Sequence, residues 1–205
     1  MKLIDIIKQN DITAIIFDFD NIITTLKSST SIGVFTQYYG ECYKNQKEIL
    51  DKQILKCTDN KNLKKLWYHK IKLLEKYYDI TILDKVKKNF KIRKSFFEVY
   101  NYCLLHDIKI IICSSGFRPL IKKILDDNNI YEYELFANDF DTKLKEIIHS
   151  DNKNIIIKRI KERNIIVGDQ ISDLSMYNKN TVLKIGIDIN EKFISYFDYI
   201  VNQWY

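Results

Sequence analysis

One short stretch near the start of the chain, residues 14–20, restricts what the protein can fold into. It reads Ala-Ile-Ile-Phe-Asp-Phe-Asp, an apolar run that ends in two carboxylates one residue apart. Such a run is typical of a buried strand whose carboxyl end opens into a site. Side chains alternate along a strand, so Asp18 and Asp20 are expected on the same side of it. Carboxylates this close need a proton or a metal ion to neutralise one of them.

Two further apolar runs, 108–113 and 164–167, also end in small and polar residues. The residues that follow these runs, together with a lysine ahead of the second, are Ser114, Ser115, Gly116, Lys153, Gly168, Asp169 and Asp173. In an open α/β sheet, ligands bind outside the carboxyl ends of the strands. The three strand ends therefore predict a single site that combines carboxylates, hydroxyl groups and one ammonium group.

Strand patterns alternate with helical patterns over most of the chain, and this predicts an α/β fold with a doubly wound, mostly parallel sheet. The remaining strand candidates are 133–137, 181–187 and 199–201. Residues 25–94 break the alternation because they carry only helical patterns. We therefore expect an α/β catalytic core formed by residues 1–24 and 95–205, with residues 25–94 inserted as a helical cap.

Within the predicted cap, a polar cluster at residues 28–31 predicts a helix start. The helical spacing that follows is expected to place Tyr38, Tyr39 and Tyr43 together. Aromatic residues at this spacing are typical of a packed core.

Composition excludes several classes of protein. The 205 residues are 46% hydrophobic and 29% charged, which suits a soluble globular chain with a real core. The four cysteines have no short paired spacing, so a zinc site or disulfide framework is not expected. A reducing, cytoplasmic location is expected instead. Residues 1–10 lack a signal-peptide pattern, and no apolar run is long enough to span a membrane. The three histidines lie outside these motifs and are expected to be surface or packing residues.

Charge is unevenly distributed. The net charge is +6, and residues 61–94 contain twelve lysines and arginines against three acidic residues. Two interpretations stay open for this segment. It can be the solvated face of a helix pair, or a basic lid that attracts an anionic substrate.

Taken together, the motifs resemble those of the haloacid dehalogenase (HAD) superfamily of phosphohydrolases. The matching segments are 17–20, 112–117, Lys153 and 167–174, and the match spans residues 14 to about 187. The helical insertion after the first motif resembles the phosphoserine-phosphatase-like branch, which also includes pyrimidine nucleotidases. The resemblance implies a HAD-like core with an inserted cap.

By the same resemblance, the protein is expected to hydrolyse a small phosphate monoester with Mg²⁺ through an aspartyl-phosphate. Asp18 would attack phosphorus, and Asp20 would protonate the leaving oxygen and then activate water. Ser114, Ser115 and Lys153 would bind the phosphoryl group. The residues implied around Mg²⁺ are Asp18, Asp20 through its backbone carbonyl, Asp169 and Asp173, the last bonding either a metal-bound water or Lys153.

The sequence departs from the family pattern at one place and leaves other points open. Asn21 and Ile22 stand where the family often has Gly-Thr. Lys143, Lys145 and Lys158 are alternatives to Lys153, which we prefer because it directly precedes a helical pattern. Residues 21–40 contain no acidic side chain to meet a substrate amine, which argues against phosphoserine. A nucleoside monophosphate is the phosphorylated metabolite to test first.

Two other functions remain alternatives. One is a catalytically inactive HAD-fold scaffold or regulatory protein. The other is a nucleic-acid-end phosphatase that binds its substrate through residues 61–94. Dehalogenation is disfavoured because Asp20, which that chemistry does not use, is retained. The substrate and the oligomeric state do not follow from these residues.

Overall fold

A computed structural model describes residues 2–25 and 30–201, apart from the side chains of residues 155 and 156. Within these residues the chain forms a six-stranded sheet from β1 (Ala14–Phe17), β2 (Lys109–Phe117), β3 (Glu134–Asn138), β4 (Asn164–Gly168), β5 (Thr181–Ile187) and β6 (Tyr199–Val201). The strand order is β3-β2-β1-β4-β5-β6, and every neighbouring pair is parallel. The predicted doubly wound α/β fold is confirmed.

Helices connect the strands and flank the sheet. They are α1 (Leu3–Lys8), α2 (Glu41–Lys56), α3 (Asn60–Tyr77), α4 (Ile80–Val86), α5 (Lys94–Leu105), α6 (Arg118–Asp127) and α7 (Asn154–Ile157). No helix in the described ranges is both long enough and apolar enough to pass through a membrane.

Strand β1 lies in the middle of the sheet and is buried on both faces. Ile15 and Phe17 belong to the larger hydrophobic cluster, whereas Ala14 and Ile16 belong to the cluster on the other side. Alternation along the strand explains this division, and each large apolar side chain so buried contributes about 1.5–3 kcal/mol. The burial holds the end of β1, and therefore Asp18, in a rigid part of the molecule.

Strand β2 is longer than the sequence predicted. The apolar run ends at Cys113, but the strand continues to Phe117 and includes Ser114, Ser115 and Gly116. Its pairing with β3 shifts register between Cys113 and Phe117. The serine motif is therefore extended backbone at the carboxyl end of β2.

The inserted segment leaves and rejoins the sheet at neighbouring points. Thr24 pairs with Ile92 in an antiparallel bridge, and the N–H of Arg93 donates to the carbonyl of Ile23 at 2.9 Å. Helices α2 and α3 lie between these points, and Asp51 of α2 pairs with Lys70 of α3 at 2.7 Å. Whether residues 25–94 form a separate cap with these boundaries stays a prediction.

The first helix of the insertion begins later than the sequence predicted. Residues 31–33 form a turn, Val34–Gln37 form a 3-10 helix, and α2 starts at Glu41. The break comes at Gly40, which is extended with ψ of 177°. Ser28 and Ser29, part of the predicted helix start, lie outside the described residues. Tyr39 therefore precedes the helix that carries Tyr43, although the two rings still contact each other at 4.8 Å between centroids.

Candidate active site

The site lies where the strand order of the sheet changes direction. Strands β1 and β4 are neighbours, but the chain moves outward from them toward opposite edges of the sheet. Crevices at the carboxyl ends of such strands are where open α/β sheets bind ligands. Asp18 directly follows β1, and Asp169 directly follows β4. The topology thus brings the first and last sequence motifs together.

Three carboxylates converge at this point. Asp18, Asp169 and Asp173 each offer an oxygen, and these oxygens lie within 4.8 Å of one another. Asp173 turns back toward β4, where its Oδ2 atom accepts hydrogen bonds from the N–H groups of Asp169 at 3.1 Å and Gln170 at 3.0 Å. A Cβ atom on Gly168 would lie 2.5 Å from this oxygen, so the close approach requires glycine there.

Lys153 is buried among these carboxylates. Its Nζ atom lies 2.7 Å from Asp18 Oδ1 and 2.7 Å from Asp173 Oδ1, and the residue is only 3% exposed. Burial lowers the pKa of Lys153, but the charges of Asp173 and Asp18 outweigh it and raise the pKa overall. The ammonium group therefore stays protonated at neutral pH.

The other lysines that the sequence left open do not lie among these contacts. Lys143, Lys145 and Lys158 are exposed, and Lys143 lines a separate cavity of about 410 Å³ that it shares with Arg118. Of the four candidates, the structure brings Lys153 to the strand ends.

Asp18 and Asp169 have raised pKa values because they are buried close to other carboxylates. Burial raises the pKa of Asp18 well above its usual value, although the Lys153 ammonium opposes the shift. Burial, followed by the charge of Asp173, raises the pKa of Asp169 to about 6. Three ionised carboxylates and one ammonium would leave two negative charges here. An all-oxygen donor set with that residual charge fits a hard divalent cation such as Mg²⁺.

Asp20 has a separate environment from this cluster. Its two carboxylate oxygens accept hydrogen bonds from the N–H of Ser31 at 2.9 and 3.1 Å, and Oδ2 also accepts the Ser31 hydroxyl at 2.9 Å. Burial raises the pKa of Asp20 to about 6, and the hydrogen bonds from Ser31 oppose this shift. Sequence reasoning did not identify Ser31 as a site residue. It lies eleven positions after Asp20 in a polar cluster that we interpreted as a helix start.

The predicted serine motif reaches the same end of the sheet. Ser114 is buried, and its hydroxyl oxygen accepts the N–H of Gly116 at 3.0 Å. Ser115 is partly exposed, and its carbonyl accepts a hydrogen bond from the side chain of Asn138 at 2.8 Å. The structure therefore gives Ser114 a buried hydroxyl and Ser115 a fixed backbone, and phosphate binding by either stays a prediction.

Asn21 contacts the site at the position where the family often has glycine. Its backbone is left-handed with φ of 65°, a conformation that asparagine tolerates better than most residues. Its side-chain amide donates to Asp169 Oδ2 at 3.1 Å. Arg93 secures the same turn by donating to the carbonyls of Asn21 at 2.7 Å and Thr24 at 3.0 Å. The contact of Asn21 with Asp169 and the contacts of Arg93 with this turn were not predicted from the sequence. The sequence signal for the first was asparagine at a position where the family often has glycine.

Comparison with known proteins identifies the fold. No known family model matches this sequence, and no curated protein matches it. A HAD family hydrolase from Salmonella enterica serovar Typhi is similar in structure, with 15% identity and a TM-score of 0.67, over 92% of this chain and 67% of that one.

Two further solved structures are similar. Cytosolic 5′-nucleotidase IIIB bound to cytidine has 18% identity and a TM-score of 0.67, over 93% of this chain and 80% of its own. A phospho-aspartyl intermediate analogue of phosphoserine phosphatase has 19% identity and a TM-score of 0.63, over 95% of each chain. These likenesses confirm that the chain has the HAD fold that its motifs predicted.

Proposed function

We propose that this HAD-fold protein is a phosphatase that hydrolyses a small phosphate monoester through an aspartyl-phosphate on Asp18. The observation that carries the proposal is the placement of Lys153, buried at 2.7 Å from both Asp18 and Asp173 at the carboxyl ends of β1 and β4. A buried ammonium group held beside a carboxylate supplies fixed positive charge where a phosphoryl group would gain negative charge in the transition state. The similar hydrolase and phosphatase structures support the same activity.

Each reacting group has a place in the proposed reaction. A carboxylate oxygen of Asp18 attacks phosphorus, the bond from phosphorus to the ester oxygen breaks, and Asp20 gives its proton to that leaving oxygen. Water then attacks the phosphorus of the aspartyl-phosphate while Asp20 takes up the proton. This second step releases phosphate and restores the Asp18 carboxylate. Lys153 orients Asp18 throughout through its bond to Oδ1.

The donor set fits Mg²⁺, which we propose as the cofactor. Asp18, Asp169 and the backbone carbonyl of Asp20 would hold it, with Asp173 placed to orient Lys153 and the turn that carries Asp169. Magnesium would supply charge neutralisation for the phosphate oxygens. The backbone N–H groups of Asp169 and Gln170 fix Asp173, so this carboxylate has less freedom to move toward a metal ion than Asp169 has.

A nucleoside monophosphate is the substrate that we propose to test first. Among the similar structures is a nucleotidase solved with cytidine, and residues 21–40 of this chain lack an acidic group for a phosphoserine amine. The tyrosines of the inserted segment have little free surface for stacking on a base. Tyr43 is only 1% exposed, while Tyr39 and Tyr77 are partly buried against it.

Hydrolysis of a panel of phosphate esters with Mg²⁺, including nucleoside monophosphates and phosphoserine, tests the proposal. We expect turnover of at least one ester, and Asp18→Asn should abolish it because the amide cannot attack phosphorus. Asp141→Asn, which changes an exposed aspartate, is the matched control and should keep full activity. Full turnover by folded Asp18→Asn protein would refute the mechanism. Inactivity of the wild type on the whole panel would favour the scaffold alternative.

A nucleic-acid end as substrate is less well supported. Within the basic segment, Lys70 pairs with Asp51 and Lys72 pairs with Glu75, so part of its positive charge is already neutralised. Binding to DNA or RNA that weakens steeply as salt is raised would favour this alternative over a small metabolite.

A further inference from the structure

Among the described residues, the side chain of Asp20, the proposed acid and base, is hydrogen-bonded by Ser31, whose position is unusual. Ser31 belongs to the inserted segment, yet its N–H and hydroxyl together make three contacts of 2.9 to 3.1 Å with the Asp20 carboxylate. Ser31 is fully buried, and so is Ile22 of the turn after Asp20. A buried carboxylate with this many contacts to one residue has little freedom to rotate.

The end of β2 is shaped to admit this serine. Gly116 carries no side chain, and a Cβ atom there would overlap the Ser31 hydroxyl and lie 3.1 Å from Ser114 Oγ. Gly116 has an ordinary negative φ, so backbone conformation does not explain the absence of a side chain. Close packing of Ser31 against the backbone of β2 does explain it. The end of β1, the beginning of the insertion and the end of β2 therefore meet at the Ser31 hydroxyl.

We propose that Ser31 is a positioning residue that holds the Asp20 carboxyl group in the orientation needed for proton transfer to the leaving oxygen. This inference rests on the proposed function. A hydroxyl suits the task because it donates to an ionised carboxylate and accepts from a protonated one, so the contact persists in both charge states of the reaction. A buried methyl group in its place would keep the volume but lose that contact.

Leaving-group dependence distinguishes positioning from a purely structural contact. An alkyl phosphate needs proton donation as its oxygen leaves, whereas p-nitrophenyl phosphate expels a stable phenolate and needs little. A structural defect should lower kcat/KM for both esters alike. Loss of Asp20 positioning should lower it selectively for the alkyl ester.

The experiment measures kcat/KM of wild type, Ser31→Ala and Ser31→Thr on glycerol 2-phosphate and p-nitrophenyl phosphate with Mg²⁺. We expect Ser31→Ala to lose at least about 10-fold more activity on the alkyl than on the aryl ester. Ser31→Thr, which retains the hydroxyl, should recover most of the difference. Ser95→Ala is the matched control, because Ser95 is also buried but its hydroxyl has no hydrogen-bond partner within residues 2–25 and 30–201. Ser95→Ala should leave kcat/KM unchanged on both esters.

The double variant Asp20→Asn, Ser31→Ala supplies a second measurement on the alkyl ester, where the Ser31 hydroxyl matters in the wild type. If Ser31 acts through Asp20, removing the hydroxyl from the Asp20→Asn protein should change kcat/KM less than 2-fold. Ser31→Cys replaces Ser31→Ala if the latter fails to fold, because a thiol keeps a polar atom at this position but is a much weaker hydrogen-bond donor than a hydroxyl. Equal losses on both esters in an active protein would overturn the inference and leave the proposed function intact. Wild-type inactivity on every ester would instead remove the proposed function.

Discussion

Lys153 Nζ lies 2.7 Å from Asp18 Oδ1, although 135 positions separate the two residues in the chain. The same ammonium group bonds Asp173, so a single buried cation joins the strand ends of β1 and β4. Buried ion pairs of this kind add little net stability when complete, but breaking one leaves a carboxylate without compensation. Loss of this contact should therefore lower both the free energy of unfolding and the activity.

Replacing Lys153 with methionine should damage both properties. The variant leaves the buried carboxylates of Asp18 and Asp173 without their cation, and we expect unfolding free energy to fall by about 3–5 kcal/mol in the absence of metal. Phosphatase activity should fall with it. Urea unfolding followed by circular dichroism measures the first effect. Lys158→Met, at an exposed position, is the control and should unfold like the wild type. An unchanged unfolding midpoint for Lys153→Met would contradict the buried pair.

Magnesium should stabilise the protein through Asp169. Because a ligand that binds only the folded state raises stability by mass action, we expect Tm to rise with Mg²⁺ concentration. Asp169→Asn should remove most of this rise, since it deletes one charged oxygen of the three-carboxylate cluster. Differential scanning fluorimetry across a Mg²⁺ titration provides the measurement, with Asp141→Asn as control. Equal Mg²⁺ responses in Asp169→Asn and wild type would exclude Asp169 as a ligand.

Two substitutions at Asn21 should separate its backbone role from its side-chain role. Asn21→Ala keeps a Cβ in the left-handed region but loses the short polar side chain that lets asparagine adopt it, and should cost about 1–2 kcal/mol of unfolding free energy. Asn21→Gly accepts that conformation and should unfold within about 1 kcal/mol of the wild type. Both variants lose the amide contact with Asp169, so both should show an altered Mg²⁺-dependent shift in Tm. A glycine variant with the wild-type Mg²⁺ response would show that the amide does not position Asp169.

His149 should make stability depend on pH. The sequence predicted the histidines to be packing or surface residues, and His149 is completely buried while His69 and His106 are exposed. Burial lowers the pKa of His149 below its ordinary value of 6.5. The unfolded chain therefore binds a proton more readily, and stability should decline as pH falls below about 6.5. His149 Nδ1 accepts the N–H of Asp151, which also requires this nitrogen to be unprotonated.

The comparison of wild type with His149→Phe isolates this effect. Urea unfolding at pH 7.5 and 5.5 should show a smaller loss of stability on acidification in the phenylalanine variant, because the other titrating groups are common to both proteins. Identical losses would mean that protonation of His149 is not coupled to folding.

Local patterns in the sequence determined the sheet and the location of the site. Short β-prone stretches bounded by turn and polar residues predicted β5 and β6 with their observed limits. The continuous apolar run of β1 is buried at all four residues, because this central strand of a parallel sheet is covered on both faces. The positions of Asp18 and Asp169 immediately after such runs placed both at the carboxyl end of the sheet. The inserted helices also followed from periodicity, although Gly40 delays the first of them.

Only the tertiary structure decided which side chains bond one another. Four lysines were candidates for one role, and in the folded chain Lys153 bonds Asp18, which follows β1, and Asp173, in the turn beyond β4. Ser31 and Asn21 reach Asp20 and Asp169 through contacts that depend on the empty space at Gly116 and on a left-handed turn. Periodicity records which face of an element is buried but not which distant residue packs against it. Contacts across the chain depend on the assembled sheet. For this reason the paired aspartates and the preference for Lys153 could be drawn from sequence, but the contacts of Ser31 and Asn21 could not.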